Sequence, residues 1–252
     1  MEKQKIRIIK KSDDFSMEYQ VGDIFEVDST WYGGVNVTSR AGIPLSLDKD
    51  EYEIYLEDKR ESSAAVIVDL TVLITPKMVK DAQGNEKKAL VGHLGTHFDV
   101  MDKTFPLGYT RRKAVVYDVS DVSGREIGVQ DIDLSVLQED MFVAFYSGYI
   151  DRVPYGSKEY FSDHPQLSNE LLEVLTDKKI SVIGVDFAGV RRGKEHTPMD
   201  QYCADKGVFV VENLCNLKDV LKGKKCVFFT ANTYPMNYAE VTGLPCRVTA
   251  EF

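Results

Sequence analysis

His93-Leu94-Gly95-Thr96-His97-Phe98-Asp99 holds two of the chain's four histidines, and it is the stretch from which the rest can be read. Two imidazoles and a carboxylate are the ligand types that suit Zn²⁺ or Mn²⁺. Their spacing limits the local backbone. In an α-helix His93 and His97 share a face, but Asp99 points away from it. In a strand all three share one face, yet the first and last lie roughly 20 Å apart at about 3.3 Å per residue. One ion on all three therefore requires the strand to end in a turn near Gly95-Thr96, and glycine permits that bend. The alternative is a polar loop with two histidines and no ligand. The glycine, the following Asp99 and the scarcity of histidine elsewhere favour metal.

Outward from this heptad the chain reads as two units. Residues 1–60 form a small all-β, SH3-like module, with short β-rich runs at Ile6–Ile9, Ile24–Tyr32, Val35–Thr38, Ile43–Leu47 and Tyr52–Tyr55. Gly33-Gly34 marks a hairpin turn. Trp31 is expected to pack the small core, and Glu57–Ser63 to be a linker. Residues 64–252 alternate strands and helices, which makes the unit a mixed α/β domain with sites at strand ends. Ala65–Thr75 is a β-branched run, and Lys88–Gly92 leads into the heptad. The polar turn Asp81–Glu86 between them suggests an antiparallel pair. Further strands are expected at Lys113–Val119, Met141–Tyr149, Ile180–Phe187, Val208–Val211, Cys226–Thr230 and Cys246–Phe252. Helices are expected at Leu167–Leu175, 199–206 and Leu217–Leu221.

At 252 residues, with 43% hydrophobic and 28% charged residues, the composition is that of an ordinary globular protein. A net charge of −9 without a basic stripe argues against nucleic acid or an anionic membrane as partner. No apolar run reaches the length of a membrane span or a signal peptide. Cys203, Cys215, Cys226 and Cys246 are scattered, without a Cys-x-x-Cys pair, and read as reduced thiols in a cytoplasmic protein.

The heptad resembles the signature of the cyclase family of metal-dependent hydrolases, which includes bacterial kynurenine formamidases and isatin hydrolases. That signature runs His-x-Gly-Thr-His-x-Asp-x-Pro-x-His, and the chain matches it at His93, Gly95, Thr96, His97 and Asp99. Asp69-Leu70-Thr71, Ser147-Gly148, His164-Pro165-Gln166-Leu167 and Gly184-Val185-Asp186 resemble further family motifs in the same order. So does Gly207–Leu214 with Asn216-Leu217. The likeness covers about residues 65–252. It implies a mixed-sheet, swivelling β/β/α-type hydrolase domain. It also implies a divalent ion, Zn or Mn, one or two per chain, and a homodimer or homotetramer.

Two departures bear on chemistry. Where the family has proline and its last histidine, the one to which its acid/base work is ascribed, this chain has Met101 and Lys103. Two-metal members also use a histidine twelve residues before the glutamate matched by Glu212. That position is Asp200 here, with His196 one helical turn earlier. A carboxylate can still ligate either metal. Near an ion and away from water, Lys103 should have a lowered pKa and can accept a proton from a water. Charged, it can hold a substrate carboxylate or a developing oxyanion. Pointing to solvent, it does neither.

Glu212 after an apolar strand is costly unless paired or metal-bound. Asp186 stands behind the ligands or caps a turn, and His164 fits the start of a helix better than a metal shell. The Arg191–Lys194 loop either attracts an anion or is merely solvated. The segment Phe105–Tyr109 lines an apolar pocket or packs. The expected function is a metal-dependent amidohydrolase of non-peptide C–N bonds, acting on a small arylformamide- or isatin-like substrate. His93, His97, Asp99, Glu212 and Asp200 are its expected metal ligands, and Lys103 its expected catalytic group. The competing expectation is a metal- or ligand-binding relative that lost catalysis, its N-terminal module recruiting a partner.

Overall fold

Apolar residues alternate with polar ones through the first five strands, which lets one face of a sheet close on a core. In the computed structural model these are β1 (Lys5–Ile8), β2 (Ile24–Trp31), β3 (Gly34–Thr38), β4 (Pro44–Asp48) and β5 (Tyr52–Tyr55). The structure describes residues 4–13, 16–55, 66–83 and 92–252. The strands pair antiparallel in the order β4-β3-β2-β1-β5, around Ile6, Ile8, Phe25, Val35, Val37 and Leu47. Trp31 pairs with Gly34 across the expected hairpin. It does not join the core as expected, being 44% exposed. A register shift between Val27 and Ser29 is the cause: the extra residue reverses the alternation, so Trp31 no longer shares a face with Phe25.

The chain divides into two compact units, Met1–Ala64 and Ala65–Phe252; the expected linker Glu57–Ser63 lies outside the described residues. The second unit begins with β6 (Ile67–Asp69), α1 (Pro76–Ala82) and β7 (His97–Asp99). Of the described part of the run 65–75, only Ile67–Asp69 is strand. Pro76 at the first helical position and the Thr75 hydroxyl, accepting from the Met78 N–H, start a helix instead. Asp81 and Ala82 belong to that helix and not to a hairpin turn; residues 88–91 of the expected second strand lie outside the described residues.

There follow β8 (Arg111–Asp118), β9 (Phe142–Tyr146), α2 (Tyr149–Arg152), α3 (Lys158–Ser162), α4 (Asn169–Asp177) and β10 (Val182–Val185). The chain ends with α5 (His196–Asp205), β11 (Phe209–Glu212), α6 (Leu217–Leu221), β12 (Cys226–Pro235) and β13 (Gly243–Glu251). The strand order is β12-β8-β9-β10-β11-β7-β13, and β13 returns to β12, closing seven strands into a barrel with β6 added on β13. From β8 to β11 neighbours run parallel, and the remaining pairs are antiparallel.

Strand alternation sorts side chains between two cores. Ala114, Val116, Phe142, Ala144, Val182, Val211 and Phe98 fill one, inside the barrel. Val115, Tyr117, Val143, Ile183 and Val210 fill the other, together with Leu171, Leu172 and Leu175 of α4. Each fully buried leucine of that kind contributes about 1.5–3 kcal/mol. The same parity places the functional residues. Phe98 points inside, so His97 and Asp99 point outward; Val210 and Glu212 share that outer face across the β7–β11 ladder. Among the described residues no helix is long and apolar enough to cross a membrane.

Candidate metal centre

The bend expected at Gly95-Thr96 is present, with Gly95 at φ +75°. It precedes a strand and does not end one: β7 begins at His97. His97 and Asp99 are therefore two apart on one strand face, and the turn folds His93 back over them. His93 Nδ1 lies 3.0 Å from His97 Nε2 and 3.0 Å from Asp99 Oδ1. His97 Nε2 lies 3.6 Å from both Asp99 Oδ1 and Glu212 Oε2. His97 Nδ1–H donates to the Gly95 carbonyl at 2.8 Å, which fixes the tautomer and leaves Nε2 with its lone pair toward the cavity.

The second half of the site comes from α5. Asp200, Cys203 and Ala204 are its buried residues, and His196 joins their face because it sits four residues before Asp200. His196 Nε2 is 3.2 Å from Asp200 Oδ2 and 3.5 Å from Glu212 Oε1. The ring fits because residue 189 is glycine: a Cβ there would stand 2.4 Å from His196 Cε1, and Gly189 has φ +101°. Two donor sets result, His93-His97-Asp99 and Asp99-His196-Asp200, each with one ligand atom per residue within 4.8 Å of the others. His196 is the candidate ligand that the sequence signal understated. Its legible sign was the His-x-x-x-Asp spacing on a helix.

These residues fit a divalent cation. Asp99 Oδ2 and Glu212 Oε1 are buried without a hydrogen-bond partner, a costly arrangement for carboxylates in the absence of a cation. Three carboxylates, Asp99, Asp200 and Glu212, are 4% exposed or less. A tetrahedral ion with bonds of about 2.1 Å holds its ligands about 3.4 Å apart, and the spacings between 3.0 and 3.6 Å bracket that value. Burial pushes the Glu212 carboxyl well up, with the negative Asp99 and Asp200 adding to it. Burial also disfavours charge on Asp99, but His97 and His93 outweigh it and hold that carboxyl far below the usual range. His97 moves up for the reciprocal reason: burial opposes its charge, and Asp99 prevails.

Lys103 is not brought to this centre. Its Nζ pairs with Asp205 Oδ1 at 2.7 Å and Asp102 Oδ1 at 3.1 Å. Those hydrogen bonds to Asp205 and Asp102 raise its pKa, the reverse of the lowering expected beside an ion. The cause is local: Met101 turns into the left-handed region at φ +55° and sends the chain out of the strand. Lys103 faces a neighbouring groove of about 730 Å³, lined also by Leu107, Tyr234 and Tyr238. The donors line a separate cavity of about 380 Å³, which shares Met101 and Thr242 with that groove.

The other candidates take structural places. Asp186 caps the turn after β9, accepting from Ser147 N–H, Ser147 Oγ and Gly148 N–H; burial nevertheless pushes its carboxyl up to about 6. His164 stacks on Phe187 with centroids 5.6 Å apart, and burial lowers it to about 4. Arg191 is neither an anion trap nor solvated. It is buried, ion-paired with Glu126 and Glu195, and donates to the Leu167 carbonyl. Phe105 packs on Phe98 and Phe209, while Leu107 is exposed in the groove.

The barrel has counterparts of known structure. One is "The Structure Of Potential Metal-Dependent Hydrolase With Cyclase Activity", with a TM-score of 0.58 at 22% identity, covering 75% of this chain and 98% of that one. Isatin hydrolase A from Labrenzia aggregata gives 0.56 at 18% identity, covering 74% and 93%. The isatin hydrolase A of Ralstonia solanacearum gives 0.58 at 18%, covering 74% and 92%. At these identities the likeness is one of fold. No curated protein matches the chain in sequence. Residues 68–191 match the family model "Cyclase: Putative cyclase", and over that stretch the chain is similar to that family. The matched stretch contains His93, His97 and Asp99; His196, Asp200 and Glu212 lie beyond it and join the site through the fold.

Proposed function

We propose that the chain is a metal-dependent hydrolase of a small amide or cyclic amide, an arylformamide- or isatin-like compound. The observation that carries this is the convergence of His93, His97 and Asp99, with His196, Asp200 and Glu212 facing them, in one cavity beside two unsatisfied carboxylate oxygens. His93, His97 and Asp99 would hold one divalent ion, Zn or Mn. Asp99, His196 and Asp200, with Glu212, would hold a second. A divalent ion there supplies a Lewis acid for the scissile carbonyl and acidifies a water.

The chain's own residues do the rest. The Gly95 carbonyl keeps His97 in the ligating tautomer, and Thr242 Oγ1, 2.9 Å from His93 Nε2, orients the second imidazole. Phe161, Ala188 and Met101 line the cavity and would pack against the apolar part of a substrate. With one ion bound, at His93, His97 and Asp99, His196 would not serve as a ligand, and its partly exposed ring would be placed to carry a proton to the leaving nitrogen. The family resemblance supports an assembly of two or four copies, the four free cysteines are compatible with a cytoplasmic setting, and the five-strand order of the first unit is compatible with an SH3-like module.

Metal analysis of the purified chain, with turnover of N-formylaniline and isatin before and after chelation, tests the proposal. One or two ions per chain and chelator-sensitive hydrolysis are expected. Full turnover by metal-free protein would sink it. The outward turn of Lys103 favours a second reading, a metal-binding member without turnover, which stoichiometric metal without hydrolysis would select.

A further inference from the structure

The ladder between β11 and β7 ends where Glu212 faces His97. The next residue, Asn213, turns into the left-handed region at φ +59°, a conformation that asparagine adopts more readily than most residues. Its side chain continues the connection that the ladder drops. Asn213 Nδ2 donates at 2.9 Å to the Gly95 carbonyl, the same oxygen that receives His97 Nδ1–H. Asn213 Oδ1 accepts from the buried Tyr160 hydroxyl at 2.9 Å. The Asn213 carbonyl accepts from Thr96 Oγ1 at 2.8 Å, and the Gly95 N–H donates to the Tyr155 hydroxyl at 2.6 Å. The Gly95 residue that aims His97 is therefore fixed from both sides.

We infer that Asn213, seated by Tyr160, is the positioning residue of the metal centre. It orients the His97 ring through their shared carbonyl and carries Glu212 on the adjoining backbone, so two ligands from different strands are set by one amide. The inference rests on the metal-centre reading of the cavity. A carboxamide suits the place: it donates to a carbonyl and accepts from a phenol at once. A carboxylate at 213 would face the Gly95 oxygen without a proton to give.

The test is Co²⁺ titration of the metal-free full-length chain, read by visible absorption, which reports ligand geometry independently of turnover. Asn213→Gly keeps the left-handed backbone without strain and removes only the amide. Its expected Co²⁺ affinity is about tenfold weaker, the lower end of what outer-shell partners control, with a shifted spectrum. Tyr160→Phe should move both readouts in the same direction by less, and it carries the test alone if Asn213→Gly does not fold. The double variant should be no worse than Asn213→Gly. Leu172→Ala, which destabilises through α4 away from the ligands, should keep the wild-type spectrum and affinity. Wild-type Co²⁺ binding in both Asn213→Gly and Tyr160→Phe overturns the positioning role while the centre stands. A wild-type chain that takes up no Co²⁺ removes the centre and this inference together.

Discussion

His97–Asp99 and Met101–Lys103 are separated by one residue, and the barrel treats them in opposite ways. The first segment is β7, hydrogen-bonded to β11 on one side and β13 on the other, with both polar side chains 2% exposed or less. The second leaves the sheet through the left-handed Met101, and Lys103 ends among surface carboxylates. Strand pairing on both edges removes backbone freedom and fixes which face each side chain takes. Once the pairing stops, a residue two positions on is directed by whatever charges are near. The ligand half of the segment is thus constrained, and the half where the family's last histidine would stand is not.

Removing one of the proposed ligands from the constrained half has the largest expected effect. His97→Ala should lose more metal affinity than the roughly 100-fold that an outer-shell change costs, seen as loss of bound metal per chain and of any hydrolysis with it. Retained stoichiometric metal would break the comparison. Gly189→Ala comes next. The new Cβ meets the His196 ring, and the residue is held at a positive φ, so a loss of about 1–3 kcal/mol is expected in chemical denaturation. Displacement of His196 should also lower the metal count toward one per chain if two are present in the parent.

The buried face carries a pH signature as well. His164 has a folded pKa of about 4 against an ordinary 6.5, so the unfolded chain binds more protons between those values, and this residue's contribution to stability is lost as pH falls through that window. His164→Phe keeps a ring on Phe187 and removes the titration. The gap between the two proteins in unfolding free energy, from urea titration, should narrow or reverse on going from pH 7 to pH 4, by up to roughly 3 kcal/mol. A constant gap would show that His164 is not the buried neutral base described. The smallest effect belongs to the unconstrained half. Lys103→Ala should change hydrolysis and metal content less than about twofold, because an exposed pair contributes little. Lys103→His should likewise fail to create activity, since the backbone turns away before residue 103. A large gain from that substitution would show that the segment folds back onto the centre in use.

Much of this was legible in residue order. The heptad declared both the donors and the need for a bend, because neither helix nor strand can gather positions 93, 97 and 99. Glu212 was legible as a carboxylate at the end of an apolar strand. Trp31 was misread because a register shift, which pattern alone hides, reverses the alternation; the turn expected at Asp81–Glu86 was misread because Pro76 starts a helix that runs to Ala82. Lys103 was misread because its expected surroundings were borrowed from the metal, whereas Asp102 and Asp205 are closer to hand. Asp205 lies a hundred residues away in sequence, at the end of α5.

By itself, then, the sequence determined the ligand types, the bend at Gly95 and the alternation that sends His97 and Asp99 to one face. These follow from side-chain chemistry and the periodicity of one strand. Only the tertiary structure decided which carboxylates meet them, that His196 joins from α5, that Lys103 leaves, and that Asn213 ties the ligand turn to Glu212. Each of those depends on strand neighbours and helix packing between segments far apart in the chain, and no local pattern encodes the distance between such segments.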